Sequence, residues 1–265
     1  MDDFQLLGLA LRAVSTALVV VAATVAAERL GPFWGGLIAC LPVSAGPAYV
    51  LLALDRSPDF VAGAALASLA ANVATWTFLL VAAHLSLRGY SLLVALGGAL
   101  IAWFALVVII EGIDATLIVV LIGNVVAFVF ADRLAPRVSL DPARFAVRRR
   151  GWLELPARAA MVGVFVVAVV AVSDAIGPAA TGIAAVFPIA LSSLMVVATL
   201  RFGAKGGAVA AASAIRPLVG IALGLTVVHL AVPQWGVWAG LGAGLAATLA
   251  WPLAMIVSRR AAVPG

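Results

Sequence analysis

The chain has 265 residues, of which 65% are hydrophobic and only 10% charged, with a mean hydropathy of +1.23. Soluble domains carry roughly 25% charged residues, so this composition excludes a water-soluble globular enzyme and points to a polytopic membrane protein. The formal net charge of +5 comes from basic residues lying between apolar runs, a placement that speaks for membrane orientation and not for nucleic acid.

Nine apolar runs are long enough to cross a hydrocarbon core of about 30 Å, which takes roughly twenty helical residues. They lie near 8–27, 33–54, 60–85, 91–110, 115–132, 156–174, 178–200, 207–230 and 235–257. Asp2 and Asp3, rather than a basic segment, precede the first run, so it reads as a true span and not as a cleavable signal. The second run holds the single cysteine, Cys40, which has no partner for an intramolecular disulfide, and also Pro42 and Ser44. Breaks between runs fall at Gly31-Pro32, 55–59, Arg88-Gly89, 111–114, 133–155, Gly177-Pro178, 201–205 and Pro233-Gln234. Pro32 and Pro178 suit the first turn of a new helix, where a missing N–H costs nothing. Within 133–155, Asp141-Pro142 starts a helix that sets Phe145 and Trp152 on one face among Arg144, Arg148, Arg149 and Arg150. That pattern predicts an interfacial amphipathic helix on anionic lipid headgroups.

Placing 133–155 in the cytoplasm puts the N-terminus outside and the C-terminus inside. The inner loops then carry the arginines, while the outer ones carry Asp55, Asp59, Glu111, Asp114 and Asp174, with Arg56 the lone outer loop cation. A second regularity is internal. Arg12, Glu28, Gly31-Pro32, Gly36 and Pro42 recur in order as Arg158, Asp174, Gly177-Pro178, Gly182 and Pro188. Matched glycines and prolines at fixed spacing imply matched backbone geometry. Five spans precede the second copy, so spans 1–4 and 6–9 form inverted-topology repeats with span 5 as connector, a construction common among secondary transporters. The expected division is therefore 1–132, the first repeat plus connector; 133–155, the basic linker; and 156–265, the inverted repeat.

Arg216 is the leading candidate for a binding role. It lies about ten residues into span 8, roughly 15 Å deep, and a charge at that depth costs at least about 2.5–3.5 kcal/mol on insertion scales. No Asp or Glu is read inside a predicted span, so its carboxylate partner is missing unless Asp174 or Glu28 folds inward. The functional reading has Arg216 meeting an anionic group; the structural one has it capping carbonyls freed by Pro217. Pro42 and Pro188 sit ten residues into spans 2 and 7, each flanked by hydroxyls, Ser44 at the first and Ser192 and Ser193 at the second. Kinked or discontinuous helices at matched positions of two inverted halves point to a central site. Among the remaining polar residues in spans, Asn72 and Ser213 are carried as site candidates, Asn72 facing Arg216 across the pseudo-symmetry axis. Arg12 and Arg158 read as interfacial anchors or gates, and His84 and His229 sit at helix ends on opposite faces.

Other signals are structural. Gly236, Gly240 and Gly244 in span 9 and Gly220 and Gly224 in span 8 recur every four residues and allow close helix approach, within the chain or between copies. Trp34, Trp103, Trp235 and Trp238 are expected as interfacial anchors. There is no Walker-type phosphate loop, no Cys/His cluster with metal spacing and no nucleophile–His–carboxylate grouping, so no cofactor or metal is expected. The resulting expectation is an all-α polytopic fold of nine spans. Its function would be that of a secondary transporter or exporter for a small anionic or amphiphilic solute, lipid-linked solutes included, in the inner membrane. The site would lie between spans 2, 3, 7 and 8. The alternatives are a channel or membrane-embedded assembly subunit and, less favoured, an intramembrane lipid-modifying enzyme.

Overall fold

The computed structural model describes residues 45–113, 116–138 and 154–261. Every regular element among them is an α-helix: α1 Ala45–Asp55, α2 Pro58–Leu87, α3 Leu92–Glu111, α4 Leu117–Leu134, α5 Glu154–Ala185, α6 Ile189–Ala214, α7 Leu218–Trp235 and α8 Val237–Ala261. Among the described residues, six helical stretches are long and apolar enough to cross a membrane. The chain is thus all-helical, with the make-up of an integral membrane protein. Pro42, Ser44, the first span and the basic segment 139–153 lie outside the described residues.

Local chemistry sets the helix ends. Ser57 Oγ accepts from the Phe60 N–H at 3.3 Å, Pro58 opens α2, and Asp59 places a negative charge in its first turn. The far end of α2 closes at Gly89, where the Gly89 N–H reaches Ser86 O and the Tyr90 N–H reaches Leu85 O, the paired bonds of a Schellman cap. Ser91 caps α3 through Val94 N–H.

Contacts divide the chain into two compact units: Met1–Ser68 with Trp152–Val186 and Gly220–Gly265, and Leu69–Gly151 with Phe187–Val219. In the first unit, α1 packs on α5 and α8. Arg56 pairs with Asp174, and its Nη2 donates to the buried Ser173 Oγ at 2.9 Å. The outer cation of the sequence reading thus meets one of the acids assigned to the same face. Just beyond, Gly177 adopts φ 73° and ψ 176°, open to glycine and strained for other residues, and breaks α5 at the expected Gly177-Pro178 position. The helix kinks there. Asp174 lies by Arg56, Pro178 lies against Gly63, and Gly182 lies against Ala64, so residues 178–185 run alongside α2 in its own direction. A methyl carbon on Gly182 would sit 2.1 Å from Ala64 O, which is why the backbones can touch. Ser68 Oγ bridges the same contact, donating to Gly182 O at 2.5 Å while accepting from Tyr49 OH.

The glycine stripes meet each other inside this unit. A methyl carbon on Gly224 would lie 2.8 Å from Gly244 O, and one on Gly240 would lie 2.8 Å from the Val232 backbone, so α7 and α8 form a close antiparallel pair turning at Gly236. Trp235 and Trp238 flank that turn and are exposed, as interfacial anchors are. Trp103 departs from the expectation. It is 1% exposed, in the middle of α3, because its indole has a polar partner, Thr75, inside the second unit.

Candidate functional site

The second unit can be built from register alone. Asn72 Nδ2 donates to Asn124 Oδ1 at 3.0 Å, and Trp76 stacks obliquely on Phe128 at 5.9 Å, so α2 and α4 run parallel with a constant offset. Asn124 completes its bonding to Leu69 O at 2.9 Å and Val120 O at 2.8 Å, leaving this buried amide pair satisfied. Trp103 Nε1 donates to Thr75 Oγ1 at 3.3 Å, and Gly98 abuts Leu85, so α3 runs antiparallel to α2.

Against this frame α6 is a helical hairpin. Gly203 adopts φ 71° and ψ −171° and divides it into 189–202 and 204–214. A methyl carbon on Gly207 would sit 2.3 Å from Thr199 Oγ1, and one on Gly206 would sit 2.4 Å from Ala198 O. Residues eight apart are about 12 Å apart along a straight helix, so these contacts require the chain to double back at Gly203. The segment read from sequence as an open 201–205 loop is this tight turn, because glycine's freedom at one residue suffices.

Both arms of the hairpin end in broken backbone. On one side the helix stops at Ala185 and resumes at Ile189, with Pro188 at φ −76° and ψ 43°. Proline there withholds the N–H that a continuous helix would give to the carbonyl four residues back. Span 7, expected from 178 to 200 as kinked or discontinuous at Pro188, is discontinuous there, two short helices. On the other side residues 215–217 form turns, with Ile215 N–H reaching back to Ala212 O and Val219 N–H to Arg216 O. Span 8, read as one run from 207 to 230 with Pro217 freeing carbonyls inside it, is interrupted at 215–217. Trp76 Nε1 donates to Ile215 O at 3.1 Å and so satisfies a carbonyl at the break. Phe187 packs edge-on to Trp103 at 5.3 Å, which sets the Pro188 break at the level of Thr75. The two breaks thus share one level, about 5 Å past the midpoint of the 30-residue α2.

Arg216 projects from the second break. Its Nε donates to Asp132 Oδ1 at 2.6 Å and its Nη2 to Oδ2 at 3.3 Å, a side-on two-point grip. The absence of a carboxylate partner expected from sequence is corrected here. Asp132 is the last residue of the fifth predicted run, and an acid at a span's edge followed by Arg133 was the available signal. The side chains are 56% and 32% exposed.

The remaining candidates separate. Asn72 is committed to Asn124, and Trp76, one turn on, is the α2 side chain that reaches the 215–217 break. Ser213 Oγ returns to Ala210 O at 3.1 Å. Ser192 Oγ, beside the Pro188 break, is buried with no hydrogen-bond partner among the described residues, as is Thr199 Oγ1 seven residues along the same arm. Asp132, Trp76, Thr75 and Asn124 are residues that the sequence did not carry as site candidates, and Trp103 was expected only as an interfacial anchor. Among the described residues no group of three or more His, Cys, Asp or Glu is placed to hold a metal. His84 Nδ1 meets Leu80 O in its own helix, and in the first unit His229 Nδ1 donates to Ala62 O at 2.8 Å. Comparison with known proteins finds no match among family models, curated proteins or solved structures.

Proposed function

We propose that the protein is a secondary transporter or exporter of a small anionic or amphiphilic solute, lipid-linked solutes included, working by alternating access in a bacterial inner membrane. The observation that carries this reading is the pair of helix breaks at one level, with a guanidinium in one of them. Broken backbone within apolar helices is tolerated where it lines a cavity or a binding site. The nine-span, N-outside arrangement with inverted repeats is part of the same proposal. The kink at Gly177 and the reversal at Gly203 support its span boundaries, and the apolar stretch Val162–Leu200 is about twice the length one crossing needs. Arg216 would bind the anion, Pro188 and its counterpart Pro42 would supply the irregular backbone, and Ser192, Ser44, Ser213 and Asn72 would be the neighbouring polar groups. The basic 133–155 segment would rest on anionic lipid.

Uptake into proteoliposomes tests this. The full chain should speed saturable uptake of at least one anion from a panel of short carboxylates, sulfate and an anionic lipid analogue, and Arg216→Ala should abolish it without loss of fold. Equal uptake by both proteins would remove Arg216 from the site; non-saturating flux would favour a channel. The assembly-subunit reading leans on the glycine stripes, and four of those glycines are already used between α7 and α8.

A further inference from the structure

We propose that the anion met by Arg216 is the headgroup of a membrane lipid, whose tail lies along the exposed apolar stripe of α4 and which reaches the site sideways from the bilayer. The proposal rests on the reading of Arg216 as the anion site and names its ligand class. Ile118, Ile122, Val125 and Val129 are all exposed. With Asp132 they follow one another by four, three, four and three residues, the spacing of a single stripe along a helix. The buried face of α4 is the other one, with Val120, Asn124 and Ala131. Asp132 therefore ends an apolar stripe, and by gripping Nε and Nη2 it fixes the Arg216 guanidinium at that end.

The dimensions fit a lipid. From Ile118 to Asp132 the stripe is about 21 Å long, more than the roughly 15 Å that one leaflet's chains span. The register that pairs Asn72 with Asn124 and Trp76 with Phe128 sets Asp132 level with Leu80. That level is about 11 Å past the midpoint of α2, roughly a turn short of the edge of a hydrocarbon core centred there. A headgroup drawn in by one turn meets the guanidinium while its chains stay beside the isoleucines and valines. A free anion would find less to hold it. Ser213 and Asn72, the polar candidates expected near Arg216, spend hydrogen bonds on Ala210 O and on Asn124. Asp132 does not bar a phosphate, because the pair is exposed and an exposed ion pair holds weakly. The phosphate oxygens can take the same two-point edge of the guanidinium.

Photolabelling of the full-length protein in phosphatidylcholine vesicles tests this. The vesicles carry a trace of phosphatidylglycerol or of phosphatidylcholine, each with a diazirine in one acyl chain, and mass spectrometry maps the labelled residues. Phosphatidylglycerol should label the α4 stripe about fivefold more than phosphatidylcholine, the scale of one basic side chain's attraction for an anionic headgroup. Ile101 is the internal control, exposed on α3 where residues 92–110 carry no charge, and both lipids should label it equally. A folded Arg216→Ala variant should lose the α4 preference. Excess unlabelled phosphatidylglycerol should suppress that preference in wild type, a reading that needs no variant to fold. Equal labelling of α4 by both lipids overturns the proposal. A preference that persists in Arg216→Ala also overturns it, because another cation then recruits the lipid. An α4 stripe that neither lipid labels, while Ile101 is labelled, overturns it in favour of a second copy of the chain on that face. In each of these cases, stabilisation of wild type but not of Arg216→Ala by acetate or sulfate leaves the anion site standing for a free solute. With neither lipid preference nor stabilisation by those anions, the anion site falls as well.

Discussion

Two glycines on one helix contact should respond to alanine with opposite sign. Gly182, in the second part of α5, would place a methyl carbon 2.1 Å from Ala64 O and within 2.9 Å of the Ala64 Cα. The obstacle is helix backbone, which has no rotamer to give, so relief means moving 178–185 away from α2 by about 1 Å. Overpacking of this kind costs roughly 1–3 kcal/mol. It also disturbs the Ser68 bond to Gly182 O. Alanine's better helix propensity returns about 0.8–1.0 kcal/mol, leaving Gly182→Ala a net loss of up to about 2 kcal/mol. Gly63, on the facing surface of α2, would place its methyl 3.4 Å from Pro178 Cβ, an ordinary contact. Gly63→Ala keeps the propensity gain and should be neutral or stabilising by up to about 1 kcal/mol. Thermal unfolding of the full chain in one detergent, followed by circular dichroism, reads both. A Gly182→Ala protein melting above wild type would refute the backbone contact between 178–185 and α2.

Other substitutions probe the breaks. Trp76→Phe keeps most of the ring contact with Phe128 but strands Ile215 O, so it should cost roughly 1–3 kcal/mol. Trp103→Phe should cost less, because Thr75 retains Ala71 O; a reversed order of melting temperatures would discount the indole as the group satisfying the break. Ser192→Ala and Thr199→Val remove buried hydroxyls that have no partner here, and each should hold or raise the melting temperature. A fall in either would mean that the hydroxyl is bonded in the working protein.

Sequence reading succeeded where the signal was local. Gly177-Pro178 and Pro188 interrupt helices because one residue's φ or missing N–H decides the outcome without reference to partners. The four-residue glycine spacing marked faces open to close helix approach for a similar reason, since a stripe of missing side chains is a property of one helix face, and the structure uses those faces between α7 and α8. What stayed hidden depends on which helix lies alongside. Asn72 was read as facing Arg216, and only the parallel register of α2 with α4 selects Asn124. Trp103 was read as an interfacial anchor from its type, whereas a polar partner 28 positions away in sequence draws it inside. Asp132 was taken as the edge of a span, because counting hydropathy cannot tell a boundary acid from a paired one.

The distribution of backbone satisfaction separates the hairpin from its surroundings. Around it, side chains reach carbonyls that would otherwise face an apolar interior, Asn124 serving Leu69 O and Trp76 serving Ile215 O. Along the 189–202 arm the pattern inverts, with the hydroxyls of Ser192 and Thr199 sealed and unserved. An unpaired buried hydroxyl is a standing cost, so a second arrangement of this arm that pairs them need supply little else to compete. The arm is bounded by Pro188 and Gly203, two residues that interrupt helical hydrogen bonding at its ends, which lets it turn as a unit without breaking bonds within it. Movement at the hairpin would carry along the 215–217 turn and with it Arg216, whose hold on Asp132 is an exposed pair worth about 0–1 kcal/mol. A weak latch on a charged residue, attached to a helical arm whose buried hydroxyls lack partners among the described residues, would let the proposed alternating site have two states of similar energy.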